Sequence, residues 1–289
     1  MNIKAKLIER YAMKKAGIGT GLPKSSGVTS IKRKKPIIIS LTSFPARIKD
    51  VDKTILSLLK QDVKPDKVIL WLATTQFPKQ EGDLPPSILK LKKFGLEIGW
   101  YNKDIRSYKK LIPTLRENPD AVIVTVDDDW YYSKRFLKVL LEEHEEHPRD
   151  IICNLVTHPQ FDEKNRLRSN KKEIDYRGTS SYFNKQVGSD GVLYPPYTLD
   201  EKVLDEDCFM KIAPTNDDIW LWAMAVKKGT KIRLAKNPER CMYMTNAEIQ
   251  TETSLNRINS QGTIYEDVTN AMLNTFPEIF QRLKEHGEG

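Results

Sequence analysis

Three consecutive carboxylates, Asp127, Asp128 and Asp129, follow the apolar run Ala121-Val122-Ile123-Val124-Thr125-Val126. Adjacent carboxylates repel one another, and a fold tolerates them best beside a cation. The preceding run is mostly β-branched and reads as a short buried strand. Side chains alternate along a strand, so Asp127 and Asp129 are expected on one side, where they can share one divalent ion or one ligand. A second acidic pair, Asp217-Asp218, opens the apolar run Ile219-Trp220-Leu221-Trp222-Ala223-Met224-Ala225-Val226. A carboxylate on a rigid helix start can take the proton of a hydroxyl within hydrogen-bond reach. Between the two lies Gly188-Ser189-Asp190-Gly191, a glycine-bounded turn of the kind that lets backbone approach a ligand closely. The rival readings are a solvated acidic turn, helix-capping acids and a plain tight turn.

The elements that must position these groups are legible from periodicity. Pro36-Ile37-Ile38-Ile39-Ser40-Leu41 reads as a first buried strand that ends in the polar loop Thr42-Ser43-Phe44-Pro45-Ala46-Arg47. Asp50 or Asp52 caps a helix carrying Ile55, Leu58 and Leu59 on its apolar face. Lys67-Val68-Ile69-Leu70-Trp71-Leu72 is a second strand, and the interval of about 30 residues between strand starts fits a βαβ unit. Leu96-Glu97-Ile98-Gly99-Trp100-Tyr101 is a third strand, and a helix near Lys110 to Arg116 leads to the acidic strand end. Alternating strands and helices predict an α/β fold with a doubly wound, mostly parallel sheet. Sheets of that class bind ligands at the carboxyl ends of their strands.

Downstream, a helix over 137–146 and a strand over 151–156 precede a charged, loop-rich insert over 158–187. The helix after Pro214-Thr215-Asn216 is capped by Thr215 or Asn216 and closed by Gly229, and Lys231-Ile232-Arg233-Leu234 is a late strand. Trp220 and Trp222 read as core rather than as a sugar platform. His158 reads as a satisfied structural histidine, and His144 and His147 as surface.

The first strand with its Leu41-Thr42-Ser43-Phe44-Pro45-x-Arg47 loop, the Val126-Asp127-Asp128-Asp129 strand end, the Gly188–Gly191 turn and the Thr215-Asn216-Asp217-Asp218 helix start occur in the order seen in GT-A glycosyltransferases. The chain most resembles the bacterial members that build capsular, exopolysaccharide or lipooligosaccharide glycans, over residues 36–240. The resemblance implies a Rossmann-like nucleotide-sugar-binding fold, with a nucleotide-binding half at 36–132, an acceptor half at 133–240 and a C-terminal helical extension at 241–289. It implies Mn²⁺ or Mg²⁺ held against the donor diphosphate by the Asp-x-Asp segment. Asp129 would be the metal ligand, Asp127 would face the ribose or the ion through water, and Asp128 would lie with them in the nucleotide site. Hard oxygen ligands suit these cations, with phosphates and water completing the shell. It assigns Asp218 as the base of an inverting reaction and Asp217 to acceptor positioning. Thr42, Ser43 and Arg47 would contact the base or ribose, and Lys109 and Lys110 the nucleotide or its phosphates, with a solvated face as the rival reading for both lysines. Gly188, Ser189, Asp190 and Gly191 would bring backbone to the donor sugar.

The expected donor is a UDP-sugar and the acceptor a glycan or lipid-linked glycan. One departure concerns Trp71-Leu72-Ala73-Thr74, where many relatives carry an acid that reads the base. The Gln-x-x-Arg-Trp pattern of processive synthases is missing, which favours transfer of a single sugar. A metal-dependent nucleotidyltransferase or phosphohydrolase using two-metal chemistry is one rival class. A non-catalytic glycan- or membrane-binding protein is the other.

A chain of 289 residues can bury one large core, so one elaborated domain is expected. The formal charge of +8 is concentrated. Residues 1–35 hold ten Lys/Arg against Glu9, so the leader carries +9 and the other 254 residues carry 8 − 9 = −1. An electrically ordinary body argues against a nucleic-acid partner. Cys153, Cys208 and Cys241 lack metal-type spacing and read as reduced thiols. No stretch approaches the roughly 20 apolar residues of a membrane span. Ile3, Leu7, Ile8, Tyr11 and Ala12 recur at helical spacing among basic residues. Such a helix can lie on an anionic membrane surface, which places the protein in the cytoplasm and peripherally on the inner face of the cell membrane. A solubilising tail is the alternative.

Overall fold

The computed structural model describes residues 3–168, 176–241 and 243–286. Helix α1 (Ile3–Lys15) precedes strand β1 (Ile37–Thr42), α2 (Val51–Leu58), β2 (Lys67–Ala73), α3 (Pro86–Leu91) and β3 (Leu96–Tyr101). Then come α4 (Ile112–Glu117), β4 (Val122–Thr125), α5 (Phe136–Glu146) and β5 (Ile151–Cys153). β1, β2 and β4 are rich in Ile, Val and Leu on both faces, which is the pattern of strands covered by helices on both sides, whereas the edge strand β3 is only partly buried.

The expected strand over 151–156 divides in two. β5 ends at Cys153, Asn154 turns its side chain to backbone partners, and β6 (Val156–Thr157) belongs to a separate pair. The insert over 158–187 contains β7 (Gln160–Phe161), β8 (Leu167–Arg168), β9 (Ser180–Ser181) and β10 (Lys185–Gln186), and its residues 169–175 lie outside the described ones. β11 (Val192–Tyr194), α6 (Glu206–Ile212), α7 (Asp217–Lys228) and β12 (Ile232–Leu234) complete the body. Helices α8 (Ala247–Thr253), α9 (Asn256–Asn259), α10 (Ile264–Thr275) and α11 (Pro277–Glu285) follow.

The main sheet has the order β3-β2-β1-β4-β11-β5-β12-β9. β3, β2, β1 and β4 are mutually parallel, β11 runs antiparallel to both β4 and β5, and β12 is parallel to β5. The chain builds outward from β1 to β3 and then returns to the other side of β1, so a topological switch point lies between β1 and β4. Ligand crevices form at that point in open α/β sheets.

Alternate residues of these strands feed two cores. Ile39, Leu41, Leu70 and Val124 pack with Ile55, Leu58, Phe136 and Leu140 on one face. Ile38, Ile69 and Ile123 join Phe209, Trp220, Trp222, Met272 and Ile279 on the other. Trp220 and Trp222 are fully buried and donate to the carbonyls of Val203 and Tyr182, so they are core. Gly99 in β3 admits the Trp71 ring, since a Cβ there would lie 2.4 Å from it. α7 ends where expected, with Gly229 at φ 87°.

β11 sits in the middle of the sheet, yet residues 188–196 read from sequence as a turn running into proline. Three residues between Gly191 and Pro195-Pro196 are too few to show a period.

The N-terminal segment packs on the body. Ala12, Met13, Ala16 and Ile18 are buried with Tyr131, and Lys134 N donates to Ala16 O at 2.9 Å. At the other end, α10 and α11 bury Met272, Leu273, Ile279 and Leu283 against the core that contains α7. Arg282 Nη1 donates to Lys227 O at 2.8 Å, closing the C-terminus of that helix.

Candidate active site

The carboxyl ends of β1 and β4 meet at the switch point, and their loops build the first half of the site. Ser43 donates to Asp128 Oδ2 at 2.6 Å, and Arg47 Nη1 donates to Asp128 Oδ1 at 2.8 Å. The same Nη1 lies 3.0 Å from Asp129 Oδ2. Asp129 Oδ1 is buried and has no hydrogen-bond partner among the described residues. Arg47 is held from behind, its Nε donating to Thr253 Oγ1 at 2.9 Å.

The expected alternation does not extend this far. β4 ends at Thr125, and beyond it Asp127 meets Lys110 while Asp128 and Asp129 both meet Arg47.

The second half comes from the start of α7. Lys110 Nζ, nearly sealed from solvent, lies 2.8 Å from Asp127 Oδ1 and 2.9 Å from Asp217 Oδ2, tying the two acidic segments together. Ser107 donates to Asp217 Oδ1 at 2.8 Å. Asp218 Oδ2 accepts the Gly188 N–H at 3.0 Å, whereas its Oδ1 is buried without a partner among the described residues. Gln186 Nε2 donates to the backbone oxygen of Asp218 at 3.1 Å. Tyr132, fully buried, links the halves: its hydroxyl accepts the Asp127 N–H at 2.9 Å and donates to Ser189 O at 2.7 Å.

Burial raises the Asp218 carboxyl to about 6, aided by the charge of Asp217 and opposed by Lys110. Burial likewise raises Asp129 to about 7, reinforced by Asp128 and Asp127 against the pull of Arg47. Burial acts to lower Lys110, but Asp127, Asp217 and Asp218 outweigh it and hold the ammonium charged.

Gly188 is fixed by this arrangement. A Cβ there would stand 2.8 Å from Lys110 Nζ and 2.9 Å from Asp218 Oδ1. Gly188→Ala is therefore expected to displace the Asp218 carboxylate or the Lys110 ammonium and to lower the thermal midpoint, which a melt beside the wild type reads.

Other sequence candidates serve the frame. Lys109 is buried, so a solvated face does not describe it; its ammonium pairs with Asp104 and donates to Arg106 O, with Asp128 near enough to act on its charge. Thr42 Oγ1 donates to Trp71 O at 2.9 Å. Both carboxylate oxygens of Asp190 are used, Oδ1 accepting from Arg240 Nε and Cys241 N and Oδ2 from Ser189 Oγ, so this acid anchors the chain at 240–241. Gly191, at φ 84°, faces the Phe136 ring, which a Cβ would meet at 2.3 Å. His158 bonds Asn184 through Nδ1 at 3.0 Å and stacks on Tyr176, a structural role. Sequence reasoning missed Ser107, Tyr132, Gln186 and Thr253. Tyr132 stands three positions after Asp129, which is a signal; Thr253 is 206 positions from Arg47 and carries none.

Among the described residues no group of three or more His, Cys, Asp or Glu side chains comes together to hold a metal. The orphaned Asp129 Oδ1, in a cluster whose negative charge exceeds that of its counter-ions, does fit a divalent cation that takes one or two protein oxygens.

No family model matches the chain, and no curated protein matches it. Among solved structures it is similar to S. aureus TarS 1–349, with 17% identity, 88% of this chain and 73% of that chain covered, and a TM-score of 0.44. It is also similar to the mannosyltransferase PcManGT from Pyrobaculum calidifontis in complex with GDP-Man and Mn²⁺, with 9% identity, 98% and 82% covered, and a TM-score of 0.47.

Proposed function

We propose that the chain is a glycosyltransferase of GT-A type that moves one sugar from a nucleotide-diphosphate donor, a UDP-sugar, to a hydroxyl of a glycan or lipid-linked glycan with inversion. The observation that carries this reading is the pair of buried, unpartnered carboxylate oxygens, Asp129 Oδ1 and Asp218 Oδ1, on the two sides of one switch-point crevice. One suits a cation at a diphosphate, the other a hydroxyl proton.

In this mechanism Asp218, oriented by the Gly188 N–H and raised to about 6, accepts the acceptor proton. The freed oxygen attacks the anomeric carbon from the face opposite the diphosphate, and the sugar–phosphate bond breaks as the new bond forms. Asp217, fixed by Ser107 and Lys110, positions the acceptor. Arg47 and Ser43 hold Asp128, and Asp129, with Asp127 nearby, would hold Mn²⁺ or Mg²⁺. When bound, that cation neutralises charge on the departing nucleoside diphosphate.

A two-metal phosphohydrolase would need several acids converging on one point, whereas Lys110 and Arg47 divide these acids into two groups. A peripheral position on an anionic membrane surface belongs to the same proposal: α1 is helical and basic, and no helix among the described residues is long and apolar enough to cross a membrane.

Calorimetry with a panel of nucleoside diphosphates, with and without Mn²⁺, tests the reading. Metal-dependent binding of one nucleotide, lost in Asp129→Ala and weakening as pH falls through about 7, is expected. No binding of any of them by folded protein would refute it.

A further inference from the structure

The outward side of α1 has a composition that packing does not explain. Leu7, Arg10, Tyr11 and Lys14 are spaced i, i+3, i+4, i+7 and so share one face, and all four are exposed. Leu7 is 60% and Tyr11 52% exposed, while Ala12, Met13 and Ala16 on the inner side are buried. The expected apolar stripe is therefore divided: Ala12 packs on the body, Leu7 is exposed, and Tyr11 meets the Tyr243 ring edge-on while keeping half of its surface exposed. Just beyond the helix, Gly17, Gly19 and Gly21 adopt positive φ and fold the chain back. Lys60 Nζ occupies the carbonyls of Gly19 and Gly21, which leaves this loop presenting cationic and N–H character. Arg10, Lys14, Gly17, Gly19 and Thr20 line a shallow, open depression. Among the described residues no acid pairs with Arg10 or Lys14. Leu22, 53% exposed, follows the loop.

We infer that this depression is a phosphodiester site for the headgroup of an anionic membrane lipid. Arg10 and Lys14 take the phosphate, while Leu7, Tyr11 and Leu22 enter the boundary between headgroups and acyl chains. The inference rests on the peripheral-membrane part of the proposed function and gives it an address. Two features select a lipid as the occupant: the +9 charge of residues 1–35 complements an anionic surface, and large apolar side chains beside the cations gain nothing from a free phosphate but are buried by a bilayer.

The test is co-sedimentation of the full chain with phosphatidylcholine vesicles, with and without phosphatidylglycerol. Wild-type protein is expected to bind only the anionic vesicles. Each basic residue near such a surface contributes about 1 kcal/mol, so Arg10→Gln with Lys14→Gln should weaken partitioning roughly 30-fold. Lys32→Gln with Lys34→Gln removes the same charge from exposed positions outside the depression and should weaken it distinctly less. Leu7→Ser with Leu22→Ser should weaken binding in high salt, where the charge contribution is screened. All of these side chains are exposed, so folding is unaffected, and an unchanged thermal midpoint checks it.

Equal losses from the two charge pairs would overturn the site while sparing the membrane reading. No binding of wild-type protein to anionic vesicles would overturn both. Binding of inorganic phosphate that depends on Arg10 and Lys14, without vesicle binding, would overturn the lipid assignment.

Discussion

Replacing Asp218 by Asn lowers kcat by about 10²- to 10⁴-fold, the usual contribution of a positioned general base. The amide keeps the size of the side chain and an oxygen to accept the Gly188 N–H, so donor binding changes little and the loss appears in kcat rather than in KM for the nucleotide sugar. The pH dependence separates this from a structural effect. Only the ionised carboxylate accepts a proton, so wild-type kcat rises with pH to a plateau above about 6, where burial and Asp217 place the group. In Asp218→Asn the residual rate loses that limb. Rates measured from pH 5 to 8 at saturating donor check both statements, and a limb near 6 that persists in the variant would assign the proton transfer elsewhere.

Lys110→Met produces the second large effect, first on stability. The ammonium is almost fully buried between Asp127 Oδ1 and Asp217 Oδ2, at 2.8 and 2.9 Å. Methionine fills similar space but leaves two acids without their shared cation, a loss of about 3–5 kcal/mol for a broken buried pair. The thermal midpoint should fall on the order of 10 °C. Adding Asp217→Asn removes one uncompensated charge, so the double variant should be more stable than the sum of the single losses implies, the coupling expected of residues in one network. Additive losses would show that Lys110 and Asp217 do not act as a unit. On the proposed function activity should fall in both variants, because Lys110 joins Asp127 to the helix that carries Asp218.

Much of the frame was legible in the chain. β1, β2 and β4 are runs dominated by Ile, Val and Leu, helix-covered strands need that composition on both faces, and the hydrophobic pattern marks them within a residue or two. α7 was legible for a different reason: two acids at its start and a glycine in the left-handed region at its end are local devices. β11 was not legible, because a three-residue strand between Gly191 and two prolines owes its existence to the ladders of β4 and β5. The same limit applied to the acidic segment. No ladder extends past Thr125, and there the pairing of Asp127 with Lys110 and of Asp129 with Arg47 is set by the loops around them.

For this protein, the amino-acid sequence by itself determined the α/β class, the strand ends that carry Ser43, Arg47 and Asp127–Asp129, the helix start that carries Asp217 and Asp218, and the concentration of positive charge in residues 1–35. These follow from near-neighbour rules: side-chain period, capping and composition. Tertiary structure alone decided which lysine faces the acids, that Gly188 N–H orients Asp218, that Tyr132 joins the two loops, and that Thr253 braces Arg47. It also decided which apolar residues of α1 pack and which remain outside. The reason is physical: a buried charge or hydrogen bond takes whichever partner the folded backbone brings within about 3 Å, and that partner stands 5 positions away for Asp127 and Tyr132 but 206 for Arg47 and Thr253.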